Sequence, residues 1–205
     1  MIRIPQRQSP YRIAAAVLLL LPFILLQAGY ARTLEPDLAA RVAALKLGLN
    51  GYTIGARLTE PQKETAAANL NQESYPGTYK FQDGDLFVIA TEADDTVLAI
   101  YQRNEAADMD GARIMVSGLM GLLGEPTTMA HDKMIYWAFT GEGKITEDAY
   151  RQLRGENKTI DILATVKFSS SFEITGDESV SEKTGVNYFI MSSDPLTSDF
   201  INRDK

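Results

Sequence analysis

The chain reads as an α+β protein with helices packed on one face of antiparallel sheet, and three observations predict it. β-rich runs at 78–81, 86–91 and 96–101 follow one another across four-residue connections, which only antiparallel neighbours can use. Apolar residues at helical spacing, Leu38, Val42, Leu45 and Leu49, precede those runs. A second helical pattern, containing Ile114, Gly118, Leu119 and Leu122, is stopped by Gly124-Glu125-Pro126 and followed by an aromatic β-run at 134–139.

Taken in order, residues 1–31 read as an export signal. Arg3, Arg7 and Arg12 stand without an acid, an apolar run follows over 13–26, and the small residues Gly29 and Ala31 permit cleavage before Arg32. Left uncleaved, residues 13–31 would be an uncharged stretch of the length a bilayer span needs. Pro22 and the short continuous apolar run favour cleavage. The expected location is therefore the periplasm, with anchorage in the inner membrane by 13–31 as the alternative.

The whole chain of 205 residues carries a formal charge of −7. Without the leader, 17 basic residues face 27 acidic ones and the charge is −10, which repels nucleic acid and anionic lipid. A membrane role is left only to the N-terminal segment, if it is retained. There is no cysteine, hence no disulfide, no thiolate nucleophile and no lipid-attachment site.

The first folded unit, residues 32–104, opens with a helix expected over 36–49, with Pro36 in its first turn and Asn50-Gly51 as its stop. Thr59-Glu60-Pro61-Gln62 is a Thr-x-x-Gln capping box, so a short second helix should run to about Leu70. The Pro76-Gly77 turn then leads into the three strands.

The second unit, residues 105–192, begins with the helix capped by Asp108 or Asp110. Met115, Met120 and Leu123 widen its apolar stripe, so it is expected to be mostly buried, with Gly118 and Gly121 letting it lie close to the sheet. In the next strand Met134, Tyr136 and Ala138 take one face and Ile135, Trp137 and Phe139 the other.

A short helix over 146–154 follows, then a strand over 159–168 with Ile160, Ile162, Ala164 and Val166 on one face. Ser169-Ser170-Ser171 suggests a bend, and 186–191 is the last strand. The acidic loop at 176–185 is expected to be solvated, and 193–205 to be a flexible tail. Both units read as helix, stop and about three strands, a pair of possible α-β-β-β repeats.

Two short motifs carry a resemblance. Ile54-Gly55 before Leu58-Thr59-Glu60-Pro61-Gln62, and Leu123-Gly124-Glu125-Pro126 before Tyr136-Trp137, resemble the Gly-x-x-x-Thr helix start and the Leu-Gly-x-Pro turn of a known domain. That domain is shared by the SmpA/OmlA outer-membrane assembly lipoproteins and the β-lactamase inhibitor proteins. The resemblance covers residues 36–192 and departs from the family in lacking the lipid-attachment cysteine and in placing the two motifs in different halves. It implies protein recognition through an exposed sheet face, without catalysis. The element order is also similar to secretion-chaperone folds, which imply binding too.

The chemistry the sequence offers is sparse. His131 is the only histidine, which removes multi-histidine metal sites and leaves one imidazole. Ser117 lacks the glycine elbow of a serine hydrolase, and Lys183-Thr184-Gly185 has no Ser-x-x-Lys to go with it. Asp108-Met109-Asp110-Gly111 would need acids at Ala106 and Ser117 to form a calcium loop.

Neither a metal nor a cofactor is expected, and no catalytic residue is assigned. Trp137, Tyr136 and His131 are the candidate partner-binding residues, since aromatic side chains offer large contact area with a polar handle. The expected function is an exported periplasmic binding protein that recognises another envelope protein or a small ligand through a sheet face or groove. The alternative is a small periplasmic hydrolase with a carboxylate site such as Glu125 with Asp132.

Overall fold

The computed structural model describes residues 36–171 and 185–202. The leader and most of the acidic loop lie outside the described residues. The described residues all belong to one compact unit.

Helix α1 (Pro36–Ala44) is shorter than its apolar spacing predicts. Lys46 turns left-handed (φ 55°), Leu47 drops into the core, and β1 (Gly48–Leu49) pairs with β2 (Tyr52–Thr53). The reason lies in Asn50-Gly51, both at positive φ, which close a two-residue hairpin as that dipeptide favours, instead of merely ending a helix. Helix α2 (Glu60–Ala68) starts as the capping box requires, with Gln62 Oε1 accepting from the Thr59 N–H at 2.9 Å.

Strands β3 (Leu70–Asn71), β4 (Thr78–Asp83), β5 (Leu86–Thr91) and β6 (Val97–Ala107) follow as a meander. Helix α3 (Met109–Leu123) is capped by Asp108, whose Oδ1 accepts from the Gly111 N–H at 2.7 Å. The chain continues through β7 (Thr128–Ala130), β8 (Met134–Thr140), β9 (Gly143–Lys144) and α4 (Glu147–Gly155). It closes with β10 (Ala164–Ser170), β11 (Gly185–Ser192) and α5 (Asp194–Asn202).

Among the described residues, one nine-stranded antiparallel sheet contains all strands but those of the first hairpin, in the order β3-β4-β5-β6-β11-β10-β8-β7, with β9 beside β8. Its middle is the β6–β11 pair, from which β5 and β4 step out on one side and β10 and β8 on the other. The two halves therefore mirror each other about a single seam. The expected boundary at 104 falls inside β6, so both units share one sheet.

The flexible tail expected over 193–205 needs correction. Residues 194–202 form α5, capped by Ser193, and Leu196 and Phe200 are fully buried, because their four-residue spacing puts both on one helical face.

Register separates the two sides of the sheet. Phe81, Val88, Ile100, Met191, Val166 and Trp137 form one continuous cross-strand row, and every one is buried. This first face is the core. Tyr52 meets Phe81 edge-on at 5.7 Å, α3 contributes Ala112 and Val116, and Val42 of α1 and Ala66 of α2 join the same cluster.

Helix α3 is not mostly buried. Ile114 and Leu122 are 73% and 69% exposed, and a Cβ added at Gly118 or Gly121 would meet nothing within 4 Å. Its apolar residues encircle the helix, and only the Met109, Ala112, Val116 side faces the core; the glycines lie on the outer side and bring no backbone close.

Candidate functional site: the second face of the sheet

Side chains alternate along a strand, so the residues between the core positions build the opposite face. Gln82, Phe87, Tyr101, Ile190, Lys167 and Tyr136 stand in one cross-strand row there, all but Gln82 half-buried. Phe87 and Tyr101 stack at 4.8 Å between ring centroids and 10° between planes. On one side runs the row Arg103, Tyr188, Ser169, Met134; on the other, Lys80, Ile89, Ala99, Ser192, Thr165, Ala138.

Two helices frame this face. Thr197, Phe200 and Ile201 of α5 close a groove of about 340 Å³ over Lys80, Ile89, Ala99 and Tyr101. Tyr150 and Arg154 of α4 close another of about 320 Å³ over Tyr136, Ala138 and Thr165. Phe87, Ile190 and Lys167, in the middle of the face, line neither groove. The result is a shallow apolar floor with a slot at either end.

The face has a distinct electrostatic character. Arg103 lies over the Tyr188 ring at 5.7 Å, Lys167 over Tyr136 at 5.8 Å, and at the rim Arg154 over Tyr150 at 5.8 Å. Burial pushes the Tyr101 hydroxyl above its usual range against the pull of Arg103, so Tyr101 stays neutral and able to donate. The Thr165 Oγ1 is buried at the floor of the α4 slot without a hydrogen-bond partner among the described residues.

The three candidate residues separate. Tyr136 stands on this face and lines the α4 slot. Trp137 points the other way, fully buried, its Nε1–H donating to the Gly124 carbonyl at 2.8 Å; it pins the end of α3 to β8 and is withdrawn from the contact surface. His131 is exposed at positive φ (53°) in the β7–β8 turn, beside Asp132 at 54°. Alternation within β8 puts Tyr136 and Trp137 on opposite faces, and helices stand on both, α1 to α3 over Trp137's and α4 and α5 over Tyr136's, where the sequence predicts helices on one face only.

Phe87, Tyr101, Ile190, Lys167, Arg103 and Tyr188 are the residues that sequence reasoning missed. Their signal was present, since 86–91 and 186–191 are apolar at both alternating positions, but that pattern also describes a strand covered on both sides.

Glu125 and Asp132, the carboxylate pair of the hydrolase alternative, are both exposed. A cavity of about 430 Å³ lies elsewhere, between β6, β11 and α3, lined by Asp85, Gln102, Asn104, Glu105, Met115 and Asn187 among others. Asn187 is buried there, and its Oδ1 accepts no hydrogen bond from the described residues. Among the described residues no three His, Cys, Asp or Glu side chains are placed to hold a metal ion, and no helix is long and apolar enough to cross a membrane. Comparison with family models, with curated proteins and with solved structures gave no match.

Proposed function

We propose that this chain is an exported, non-enzymatic periplasmic protein that recognises another envelope protein through the second face of its sheet. The observation that carries the reading is the row from Phe87 to Tyr136, whose stacked rings and aliphatic side chains are only half-buried on a face where α4 and α5 leave the middle open. Apolar area of this kind, framed by polar residues, marks interaction surfaces.

Six strands at about 4.8 Å spacing make the row about 24 Å long, which suits a protein partner better than a single small molecule. The slots at its ends suit anchoring side chains. The resemblance to the SmpA/OmlA and β-lactamase inhibitor domain agrees with this reading, as does a sheet whose two halves, β3 to β6 and β7 to β11, meet at one seam.

Affinity capture from an envelope fraction tests it, using the parent protein, Ile190→Asp on the open face and Ile114→Glu on the outer side of α3. A protein held by the parent and by Ile114→Glu, and lost with Ile190→Asp, is the expected result. An identical set of proteins on all three baits contradicts it.

A further inference from the structure

Resting on that reading, we infer that the partner presents an extended acidic segment to this face, with carboxylates at both ends of an apolar middle. The chain as a whole has an excess of acid, at −7. The three rows of the second face reverse that balance, holding Lys80, Lys167 and Arg103 and no acid; Glu73 lines the α5 slot together with Lys80 but forms no ion pair with it among the described residues.

Arg103 is paired with Glu105 at 2.9 Å. Lys80 and Lys167 have no carboxylate within 4.0 Å among the described residues, and Lys167 has only the Tyr136 ring. In solvent an unpaired ammonium costs nothing. Covered by an apolar partner, it would lose its water with no replacement, a penalty that offsets the benefit of burying the apolar surface around it. A partner that brings negative charge to those two positions escapes that penalty and is the one this face favours.

The spacing defines what can do so. Lys80 on β4 and Lys167 on β10 are four strand steps apart, about 19 Å at 4.8 Å per step, and Ile89, Phe87, Tyr101 and Ile190 lie in the rows between them. An extended chain covers that distance in about six residues. It would lie across the strands with apolar side chains on the Phe87–Tyr101 stack and an acid at each end. Nucleic acid is also anionic and stacks on rings, but its charge is continuous, whereas this face offers two cations separated by an apolar floor.

The test uses fluorescence anisotropy with a labelled eight-residue peptide, glutamate at each end of a leucine-rich middle, a glutamine-for-glutamate version, and a labelled oligothymidylate. We expect the glutamate peptide to bind about tenfold more tightly than the glutamine peptide, about 1.4 kcal/mol, with the advantage shrinking as salt is raised. Lys80→Glu and Lys167→Glu should each remove most of that advantage at unchanged melting temperature, and Ile114→Glu should remove none.

Equal binding of the two peptides, still abolished by Ile190→Asp, overturns the acidic partner and leaves the docking face standing. Binding indifferent to all face substitutions, or no binding of either peptide, overturns both. Tighter binding of oligothymidylate than of the glutamate peptide overturns the inference in favour of nucleic acid.

Discussion

At the scale of single residues, Asp95 shows how a surface turn is tied to the rest of the molecule. It sits at positive φ (58°) between β5 and β6, accepts from the Tyr79 hydroxyl at 2.7 Å, and pairs with Lys63 of α2 at 2.9 Å. Burial alone would raise its carboxyl, but the hydrogen bonds from Tyr79 and Lys63 outweigh burial and hold it below the usual range.

A depressed folded-state pKa means that this stabilisation is complete at neutral pH and fades as pH falls below about 4, vanishing once the folded carboxyl protonates. Asp95→Asn tolerates the backbone and removes the charge. It should lower stability by about 1–3 kcal/mol at pH 7 and flatten the acid limb of a urea-denaturation series taken against pH. An unchanged acid limb would show that the turn is held by its backbone bonds alone. Trp137 belongs at this scale too, since Trp137→Ala should cost about 3–5 kcal/mol in the same assay, with binding by the folded fraction intact.

At the scale of elements, glycines in two settings should respond in opposite directions. Gly118 faces open space on α3, so Gly118→Ala should raise the melting temperature through about 1 kcal/mol of helix propensity. Gly55 is left-handed (φ 78°), and a Cβ there would meet the Ala39 carbonyl oxygen at 2.7 Å and the Ala43 nitrogen at 2.8 Å. Gly55→Ala should therefore destabilise by more than about 1 kcal/mol, and thermal melts of the pair read both signs.

Elements also differ in what a sequence can disclose about them. The helix starts at Thr59 and Asp108 and the strand alternation in 134–139 were legible, because caps and alternation are local chemistry. Which side of α3 meets the core was not legible, because its apolar residues encircle it and its neighbours include β11, far along the chain. Asn50-Gly51 carried two local meanings, helix stop and hairpin turn, and packing of Leu47 chose the second.

At the scale of the whole molecule, one sheet with a covered face and a partly open one accounts for the apolar content of its strands. The first face is the hydrophobic core; the second is framed by α4 and α5, leaving a floor of rings and two lysines with no carboxylate partner among the described residues. The α+β class and its antiparallel meander were legible from loop lengths. The pairing of β6 with β11 was not, since it joins segments about 80 residues apart and nothing local encodes it. The docking face exists only after that pairing, because it brings Tyr101 beside Ile190 and then Lys167. Helix α5 is part of this arrangement, and Phe200→Ala should destabilise the protein by about 3–5 kcal/mol by denaturant titration.

The most direct measurement is a map of amide and side-chain chemical shifts as the protein is titrated with the glutamate-ended peptide. The changes should cluster on Phe87, Tyr101, Ile190, Lys167 and Tyr136, spanning both halves of the sheet. Changes confined to the outer side of α3 around Ile114 and Leu122, or to the Asn187 cavity, would contradict recognition through the second face.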